Sequence, residues 1–263
     1  MFTNENVGVL IVSCDKYEDA WIPCSLSIEK NWKTCPYEIA LLTESKKAPN
    51  GTAFNRTINV STSVWTSGLN EGIRLWNKEY IIVLLEDQWP AKIVNQDAID
   101  KAVEYISSNA DIGAIYFETT DIGGLKKTVR LDEDFNEIPY GAPYRLSCAP
   151  GVFKADFLLR VTETPESAWD FERIRSLSDE GKECRVLEIY GVNWKRVDGP
   201  GAIARGKWVR KMKEYANEIG YDISSSGRGF VSLKDILNAK IKDLIFSLNP
   251  DAMVNIQNKL NKK

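Results

Sequence analysis

Histidine is absent from all 263 residues of the chain. This excludes catalysis by Ser-His-Asp or Cys-His arrangements, and it excludes His-ligated metal sites. Any general base must then be a carboxylate, a tyrosine, a lysine or a cysteine with a shifted pKa. The five cysteines are odd in number and show no CxxC spacing, so we expect reduced thiols and no zinc site.

Long apolar runs and a strong net charge are also missing. No apolar run approaches the roughly 20 residues of a membrane span. The N-terminal residues lack the basic region and long apolar core of a signal peptide. The formal net charge is −3, which gives no broad attraction to nucleic acid. We therefore expect a cytoplasmic protein that has no nucleic-acid partner.

Strand-like and helix-like patterns alternate through the first 118 residues. Apolar strand runs lie at 7–12, 37–42, 80–85 and 112–117, and helical spacings lie at 17–32, 66–76 and 96–107. This alternation predicts an α/β fold with a mixed, mostly parallel sheet flanked by helices. Farther along we expect exposed hairpins near the acidic run 132–134, an extended piece at 144–148, helices at 154–160 and 167–181, and a strand at 185–190.

The most informative segment is YIIVLLEDQWP at 80–90, where five consecutive apolar residues run into Glu86 and Asp87. A strand this apolar is buried on both faces, and its end is where an open α/β sheet presents polar groups to a ligand. Paired carboxylates there suit a divalent cation shared with phosphate oxygens, which favours a nucleotide-sugar site. The alternative is that the pair solvates the strand end and caps the next turn.

The C-terminal part differs in composition from the rest. The stretch SSSGRG at 224–229 predicts a flexible linker, which divides the chain into a domain at 1–220 and a linker with an amphipathic helical tail at 221–263. The apolar stripe of the tail predicts docking on its own domain or on a twin subunit, giving a homodimer. Its lysines leave peripheral contact with the inner face of an anionic membrane as the alternative.

Five segments together resemble the bacterial glycosyltransferases of GT-A fold that build surface polysaccharides such as lipopolysaccharide and capsule. They are VGVLIVSCDKYEDAWIPC (7–24), WKTCPYEIALLTES (32–45), YIIVLLEDQWP (80–90), APGVFKADFLL with the following WDFE (149–172), and GPGAIARGKW (199–208). The resemblance covers residues 7 to 210. It implies a Rossmann-like GT-A domain that transfers a sugar from a nucleotide-diphosphate donor to a hydroxyl of a saccharide or lipid-linked acceptor.

The resemblance also implies which residues hold the nucleoside part of the donor. The loop after the first strand supplies Ser13, Cys14 and Asp15, and Glu44 follows the second strand. A carboxylate that accepts from paired ribose hydroxyls fits this role. The alternative is that Asp15 caps the helix that begins near Tyr17.

The metal motif of the family is Asp-x-Asp, and its place here is similar to Glu86-Asp87-Gln88. Gln88 is a weaker cation ligand than a carboxylate, so Mn²⁺ or Mg²⁺ is expected to bind weakly or to be dispensable. The departing diphosphate then needs other positive charge, which Arg205 and Lys207 offer. The alternative is that these two residues form a solvated basic start of a helix.

For the catalytic base, inverting members of the fold place an acid at the start of a helix beneath the acceptor. Glu172 is our first choice for this base and Asp170 the second. The alternative is that both acids only stabilise the helix N-terminus through its dipole. Among eight tryptophans, Trp89 and Trp169 adjoin proposed active-site carboxylates and are predicted to stack on the acceptor sugar.

Two other functions remain open. A sugar-phosphate nucleotidyltransferase shares the alternating α/β pattern, but that class has a glycine-rich N-terminal loop, whereas VGVLIVSCDKYEDAW at 7–21 holds one glycine. A non-catalytic carbohydrate-binding protein of the same fold would explain the amide of Gln88 in the metal motif.

Overall fold

A computed structural model describes residues 5–117, 128–142, 144–194 and 201–232. Nine of the described strands form one sheet in the order β3-β2-β1-β4-β8-β5-β9-β7-β6. They are β1 (Val7–Val12), β2 (Glu38–Thr43), β3 (Arg56–Asn59), β4 (Tyr80–Leu85), β5 (Ile112–Phe117), β6 (Val129–Arg130), β7 (Phe135–Glu137), β8 (Gly151–Lys154) and β9 (Arg185–Ile189). A separate antiparallel hairpin consists of β10 (Ile203–Ala204) and β11 (Lys207–Trp208).

Most of the sheet is parallel. β1 pairs in parallel with β2 and β4, β2 with β3, and β5 with β9. β8 runs antiparallel between β4 and β5, and β7 and β6 add an antiparallel hairpin at one edge. The predicted mixed, mostly parallel sheet flanked by helices is confirmed.

The helices cover both faces of this sheet. They are α1 (Trp21–Asn31), α2 (Trp65–Trp76), α3 (Gln96–Ser108), α4 (Ala155–Val161), α5 (Ala168–Ile174), α6 (Asp179–Lys182) and α7 (Met212–Glu218). Successive strand residues point to opposite faces, so Ile82 of β4 packs in a core with α1 and α3, while Ile81 packs in a second core with α2 and α4. Burial on both faces explains why the sequence of β4 does not alternate.

Two local predictions in the second half are wrong. The segment 144–148 forms turns instead of an extended strand, because the buried guanidinium of Arg145 holds it by donating to the carbonyl oxygens of Ile138 and Cys184. The helix expected at 167–181 is interrupted: α5 ends at Ile174, a 3-10 turn follows, and the Ser178 hydroxyl caps the start of α6. The hairpin expected around 132–134 is confirmed by β6 and β7.

The segment predicted as a flexible linker is packed against the domain as far as Ser232. Ile223 lies in a short 3-10 helix and is buried, and the side chain of Arg228 forms an ion pair with Asp19. Phe230 forms a β-bridge with Trp208. The linker interpretation is therefore wrong for 221–232, and the predicted amphipathic tail from 233 onward lies outside the described residues.

All five cysteines belong to the described part of the chain, and each is a free thiol. Within the described ranges, no helix has both the length and the apolar character needed to cross a bilayer.

Candidate functional site

The carboxyl ends of β1 and β4 lie next to each other at the point where the strand order reverses. β2 and β3 extend the sheet on one side of β1, and β4 lies on the other side. The connections that leave β1 and β4 both lead to helices of one core, α1 and α3, and the crevice at the carboxyl ends of these two strands is where α/β sheets of this kind bind ligands. Ser13 follows β1 and Glu86 follows β4.

Ser13 and Glu86 contact each other across this crevice. The Ser13 hydroxyl lies near the Glu86 carboxylate and accepts from the indole Nε1 of Trp21 at 2.7 Å. Burial of Glu86, and next the neighbouring charge of Asp87, raise the pKa of Glu86 to about 8. Because both carboxylates are buried, the interpretation that they solvate the strand end is wrong.

The raised pKa of Glu86 makes the stability of the protein depend on pH. The folded state keeps a proton that the unfolded chain releases above its ordinary pKa of 4.5, so the free energy of unfolding falls as the pH rises from about 5 to about 8. Glu86→Gln removes this loss. We expect the free energy of unfolding of the variant, relative to that of the wild type, to increase by about 1 kcal/mol or more from pH 5 to pH 8, since one pKa unit corresponds to about 1.4 kcal/mol.

Urea unfolding of both proteins at the two pH values measures this effect. Glu104→Gln is the matched control, because Glu104 is an exposed acid on α3. The same stability difference between Glu86→Gln and wild type at pH 5 and pH 8 would contradict the assignment of a proton to Glu86.

Asp87 joins the crevice to the β10–β11 hairpin. Its carboxylate accepts from the backbone N–H of Ile203 at 3.2 Å, and its carbonyl oxygen accepts from the N–H of Ala202 at 2.7 Å. A Cβ atom on Gly201 would lie 2.3 Å from Asp87 Oδ2, so only glycine permits this approach of the backbone.

The tip of the hairpin carries two of the predicted donor contacts. Arg205 and Gly206 both have positive φ angles, 54° and 74°, as expected of a two-residue turn between antiparallel strands. Arg205 and Lys207 are exposed on this tip. They therefore belong to a hairpin fixed on Asp87, and the alternative of a basic helix start is wrong.

Asp15 and Glu44 connect the loops that follow β1 and β2. The backbone N–H of Asp15 donates to the Glu44 carboxylate, and the Asp15 carboxylate accepts from the N–H groups of Ser45 and Lys46 at 3.1 Å each. Desolvation raises the pKa of Asp15, but the hydrogen bonds from Ser45 and Lys46 together outweigh it and leave the pKa below its usual value. The hydrogen bonds of the Asp15 carboxylate go to Ser45 and Lys46 in the loop after β2 and not to the helical turn that begins at Asp15.

The Cys14 thiol lies near the carboxylates of Glu44 and Glu86. Burial, followed by the charges of Glu44 and Glu86, raises the pKa of its thiol. The thiol is therefore protonated at neutral pH, and it lacks the thiolate that a nucleophilic cysteine needs.

Gln88 links the crevice to α5. Its amide oxygen accepts from the N–H of Leu85 at 3.0 Å, and its Nε2 donates to the carbonyl of Cys148 at 2.7 Å. The N–H of Cys148 in turn donates to Glu172 Oε1 at 2.9 Å. The backbone of Cys148 therefore connects Gln88 to Glu172.

The two acids of α5 have different surroundings. The Asp170 carboxylate accepts from the Ser167 hydroxyl at 2.7 Å, and that hydroxyl accepts from the Asp170 N–H at 3.2 Å. Asp170 thus takes part in the N-cap of α5, as the helix-terminus alternative expects. Glu172 instead contacts the Cys148 loop.

The two tryptophans predicted to bind the acceptor differ in exposure. Trp89 is 1% exposed, donates from Nε1 to the carbonyl of Glu86, and packs between Trp208 and Tyr215. It offers no ring face to a sugar, so that prediction is wrong. Trp169 is 62% exposed at the start of α5, and its role stays a prediction.

The motif at 86–88 does not fit a tightly held cation. Within the described ranges, no group of three or more cysteine, aspartate or glutamate side chains is arranged to hold a metal. Asp87 uses an oxygen to accept from a backbone amide, and the amide oxygen of Gln88 does the same. We therefore assign no chemical step to a metal at this motif.

Sequence reasoning missed Arg228, whose segment lines an open cavity of about 490 Å³ together with Asp15, Lys16, Glu18, Asp19, Lys46 and Gly206. The side chain of Arg228 is 8% exposed. Two glycines with positive φ, Gly227 and Gly229, flank it. The sequence signal for this residue was the Gly-Arg-Gly pattern. Glycines on both sides of a basic residue suit a tight loop as well as a flexible linker, and a tight loop can bury the basic side chain.

No protein-family model matches the chain, and no curated protein sequence matches it. Solved structures similar to it include both nucleotidyltransferases and glycosyltransferases. A mannosyltransferase from Pyrobaculum calidifontis, solved with GDP-Man and Mn²⁺, is 11% identical over 93% of this chain and 81% of that one, with a TM-score of 0.44. A cytidylyltransferase from Leptospira borgpetersenii is 13% identical over 74% and 78% of the two chains, with a TM-score of 0.43.

A nucleotidyl transferase from Methanothermobacter is 10% identical over 73% of this chain and 91% of that one, with a TM-score of 0.45. These similarities concern the course of the backbone, and no residue role is taken from them.

Proposed function

We propose that this protein is a glycosyltransferase that moves a sugar from a nucleotide-diphosphate donor to a hydroxyl of a saccharide or lipid-linked acceptor, with inversion, in bacterial surface polysaccharide synthesis. One observation carries the proposal. Glu172 is connected through the backbone of Cys148 to Gln88, the residue that follows the carboxylate pair at the end of β4, so a candidate base and a candidate donor crevice adjoin. A nucleotide-sugar donor and an acceptor hydroxyl would meet between them.

The donor half of the site would lie over the ends of β1 and β2. Asp15 and Glu44 form one cluster there with the backbone of Ser45, and carboxylates of this kind suit ribose hydroxyls. Arg205 and Lys207 on the hairpin tip would neutralise the diphosphate as it leaves. Any Mn²⁺ or Mg²⁺ would be weakly bound or dispensable, as the motif at 86–88 predicts.

In the acceptor half, Glu172 would act as general base. Its carboxylate takes the proton of the acceptor hydroxyl while the hydroxyl oxygen attacks the anomeric carbon from the face opposite the diphosphate. The new carbon–oxygen bond forms as the bond to the diphosphate breaks, so the configuration inverts. The bond from the Cys148 N–H fixes one oxygen of Glu172, and Trp169 would stack on the acceptor sugar.

The nucleotidyltransferase alternative is not favoured by the loop after β1. A polyphosphate cradle needs several backbone N–H groups that converge on the ligand. Here the N–H of Asp15 donates to Glu44 and the N–H of Tyr17 donates to the carbonyl of Cys14.

The alternative of a non-catalytic carbohydrate-binding protein is tested by measuring turnover of nucleotide sugars in the purified protein. Any turnover would rule out that alternative.

The donor assignment predicts stabilisation by a nucleoside diphosphate. At 100 times its dissociation constant, the ligand should add about 2.7 kcal/mol to the free energy of unfolding. Asp15→Ala should reduce this gain because the carboxylate organises the nucleoside loop. Thermal-shift measurements with the diphosphates of uridine, guanosine, cytidine, adenosine and thymidine test this.

Asp134→Ala is the control for that experiment, since Asp134 pairs with Lys101 at the other end of the sheet order. A flat response to all five nucleotides would disprove the donor site. The predicted contacts of the tail with a membrane or a second copy lie outside the described residues and stay predictions.

A further inference from the structure

The Arg228 side chain contacts two separate segments near the carboxyl ends of the strands. Its guanidinium forms a two-pronged ion pair with the Asp19 carboxylate, with the Nε bond at 2.8 Å. It also donates to the carbonyl of Lys16 at 3.1 Å and to the carbonyl of Gly206 at 3.2 Å. One side chain therefore joins the loop after β1 to the tip of the β10–β11 hairpin.

Aromatic rings hold the guanidinium in this position. Its central carbon lies 4.4 Å from the centre of the Tyr17 ring and 5.7 Å from that of Trp208. Arginine suits such a place because its planar group stacks on rings while its edge donates hydrogen bonds. A lysine would keep the charge and lose the two-pronged geometry.

The backbone around Arg228 is also fixed to the hairpin. The Trp208 indole donates to the Ser226 hydroxyl at 2.6 Å, and the Trp208 N–H donates to the carbonyl of Gly229 at 2.9 Å. The N–H of Val231 donates back to the carbonyl of Trp208 at 2.9 Å. The segment 226–231 and the hairpin thus form one hydrogen-bonded unit, and Arg228 is its link to the loop after β1.

The link determines where two cationic side chains lie. Gly206 lines the 490 Å³ cavity with Lys16 and Asp15, and its neighbours in sequence are Arg205 and Lys207. Since Arg228 holds the carbonyl of Gly206, it sets the position of this tip relative to the loop that would carry the nucleoside.

We propose that Arg228 is a positioning residue that holds the tip Arg205-Gly206-Lys207 against the loop after β1, where the tip receives the diphosphate of a nucleotide. The ligand class rests on the proposed function. The position of the tip rests on the contacts of Arg228. Arg228 acts through these neighbours and is not a catalytic residue.

Calorimetric titration with the diphosphates and monophosphates of uridine, guanosine, cytidine, adenosine and thymidine tests the proposal. In Arg228→Met we expect binding of the best diphosphate to weaken by about 10- to 100-fold, the range of one or two charge-assisted contacts. Binding of the matching monophosphate should change much less. A general loosening of the fold would weaken both nucleotides alike, so the ratio of the two dissociation constants separates positioning from stability.

Arg228→Lys keeps the charge and should recover only part of the ratio. Asp19→Asn removes the ion pair with less change in volume. If Arg228→Met does not fold, the ratio of the two dissociation constants is measured in Asp19→Asn instead. Lys30→Met is the control, because it breaks the exposed pair of Lys30 with Glu218 away from the cavity.

An unchanged diphosphate-to-monophosphate ratio in the folded variants would overturn the role of Arg228 alone. Failure of the wild type to bind any of the five nucleoside diphosphates would overturn the proposed function and the positioning role together.

Discussion

Glu172→Gln is expected to lower the turnover of a nucleotide sugar by about 10²–10⁴-fold, the usual contribution of a positioned general base. The amide has nearly the same size and its oxygen still accepts from the N–H of Cys148, so the loop between Gln88 and α5 should stay in place. It cannot take a proton from the acceptor hydroxyl. Binding of the donor nucleotide should therefore change little while the chemical step slows.

Asp170→Asn is the matched control on the same helix. Asp170 accepts from the Ser167 hydroxyl at the N-cap, and an asparagine there retains an acceptor. The free energy of unfolding should therefore fall by only the few tenths of a kcal/mol typical of a charge near a helix end. Single-turnover kinetics and calorimetry separate rate from binding. If Asp170→Asn is inactive and Glu172→Gln active, the base is Asp170. If both turn over normally, α5 does not supply the base.

Trp89→Ala is expected to lower the free energy of unfolding by about 3–5 kcal/mol, the usual cost of deleting a fully buried large aromatic side chain. The Trp89 ring lies 5.8 Å from that of Trp208 and 6.4 Å from that of Tyr215. Its indole also bonds the carbonyl of Glu86 at 2.8 Å. The truncation thus opens a cavity beneath the carboxylate pair and leaves that carbonyl without its donor.

Trp169→Ala is the matched substitution at an exposed position. It should change stability by only about 0.5 kcal/mol, as surface substitutions do, and should raise the KM for the acceptor if the ring stacks on a sugar. Denaturant unfolding and acceptor titration give both quantities. Loss of stability in Trp169→Ala but not in Trp89→Ala would reverse the assignment of the two rings. Trp89→Phe should fall between wild type and Trp89→Ala, since it keeps a ring and loses the N–H.

The sequence by itself determined the central elements of the sheet. The limits of β1 at Val7–Val12 and of β5 at Ile112–Phe117 agree with those predicted, and α3 ends one residue beyond its prediction. These elements are encoded locally, because a doubly buried strand is a continuous apolar run and a surface helix is a periodic one. The short strand β8 was missed because four residues carry too little pattern.

The tertiary structure alone decided what the polar residues do. Gln88 looked like an impaired cation ligand, yet its amide bonds two backbone groups and leads through Cys148 to Glu172. Trp89 and Trp169 both adjoin proposed site carboxylates in sequence, and one is buried while the other is exposed. The burial of a side chain cannot be predicted from the residues beside it in sequence when the elements that cover it come from distant parts of the chain.

Arg228 and Asp19 are 209 residues apart, and the flexible composition around Arg228 predicted a linker. Their contact depends on β11 and the loop after β1 meeting at one edge of the sheet. Local composition reports the conformations a segment can adopt, whereas the contacts available after folding select one of them. The sequence therefore predicted the scaffold and the edge that carries the candidate site, and long-range contacts determined which side chains adjoin there.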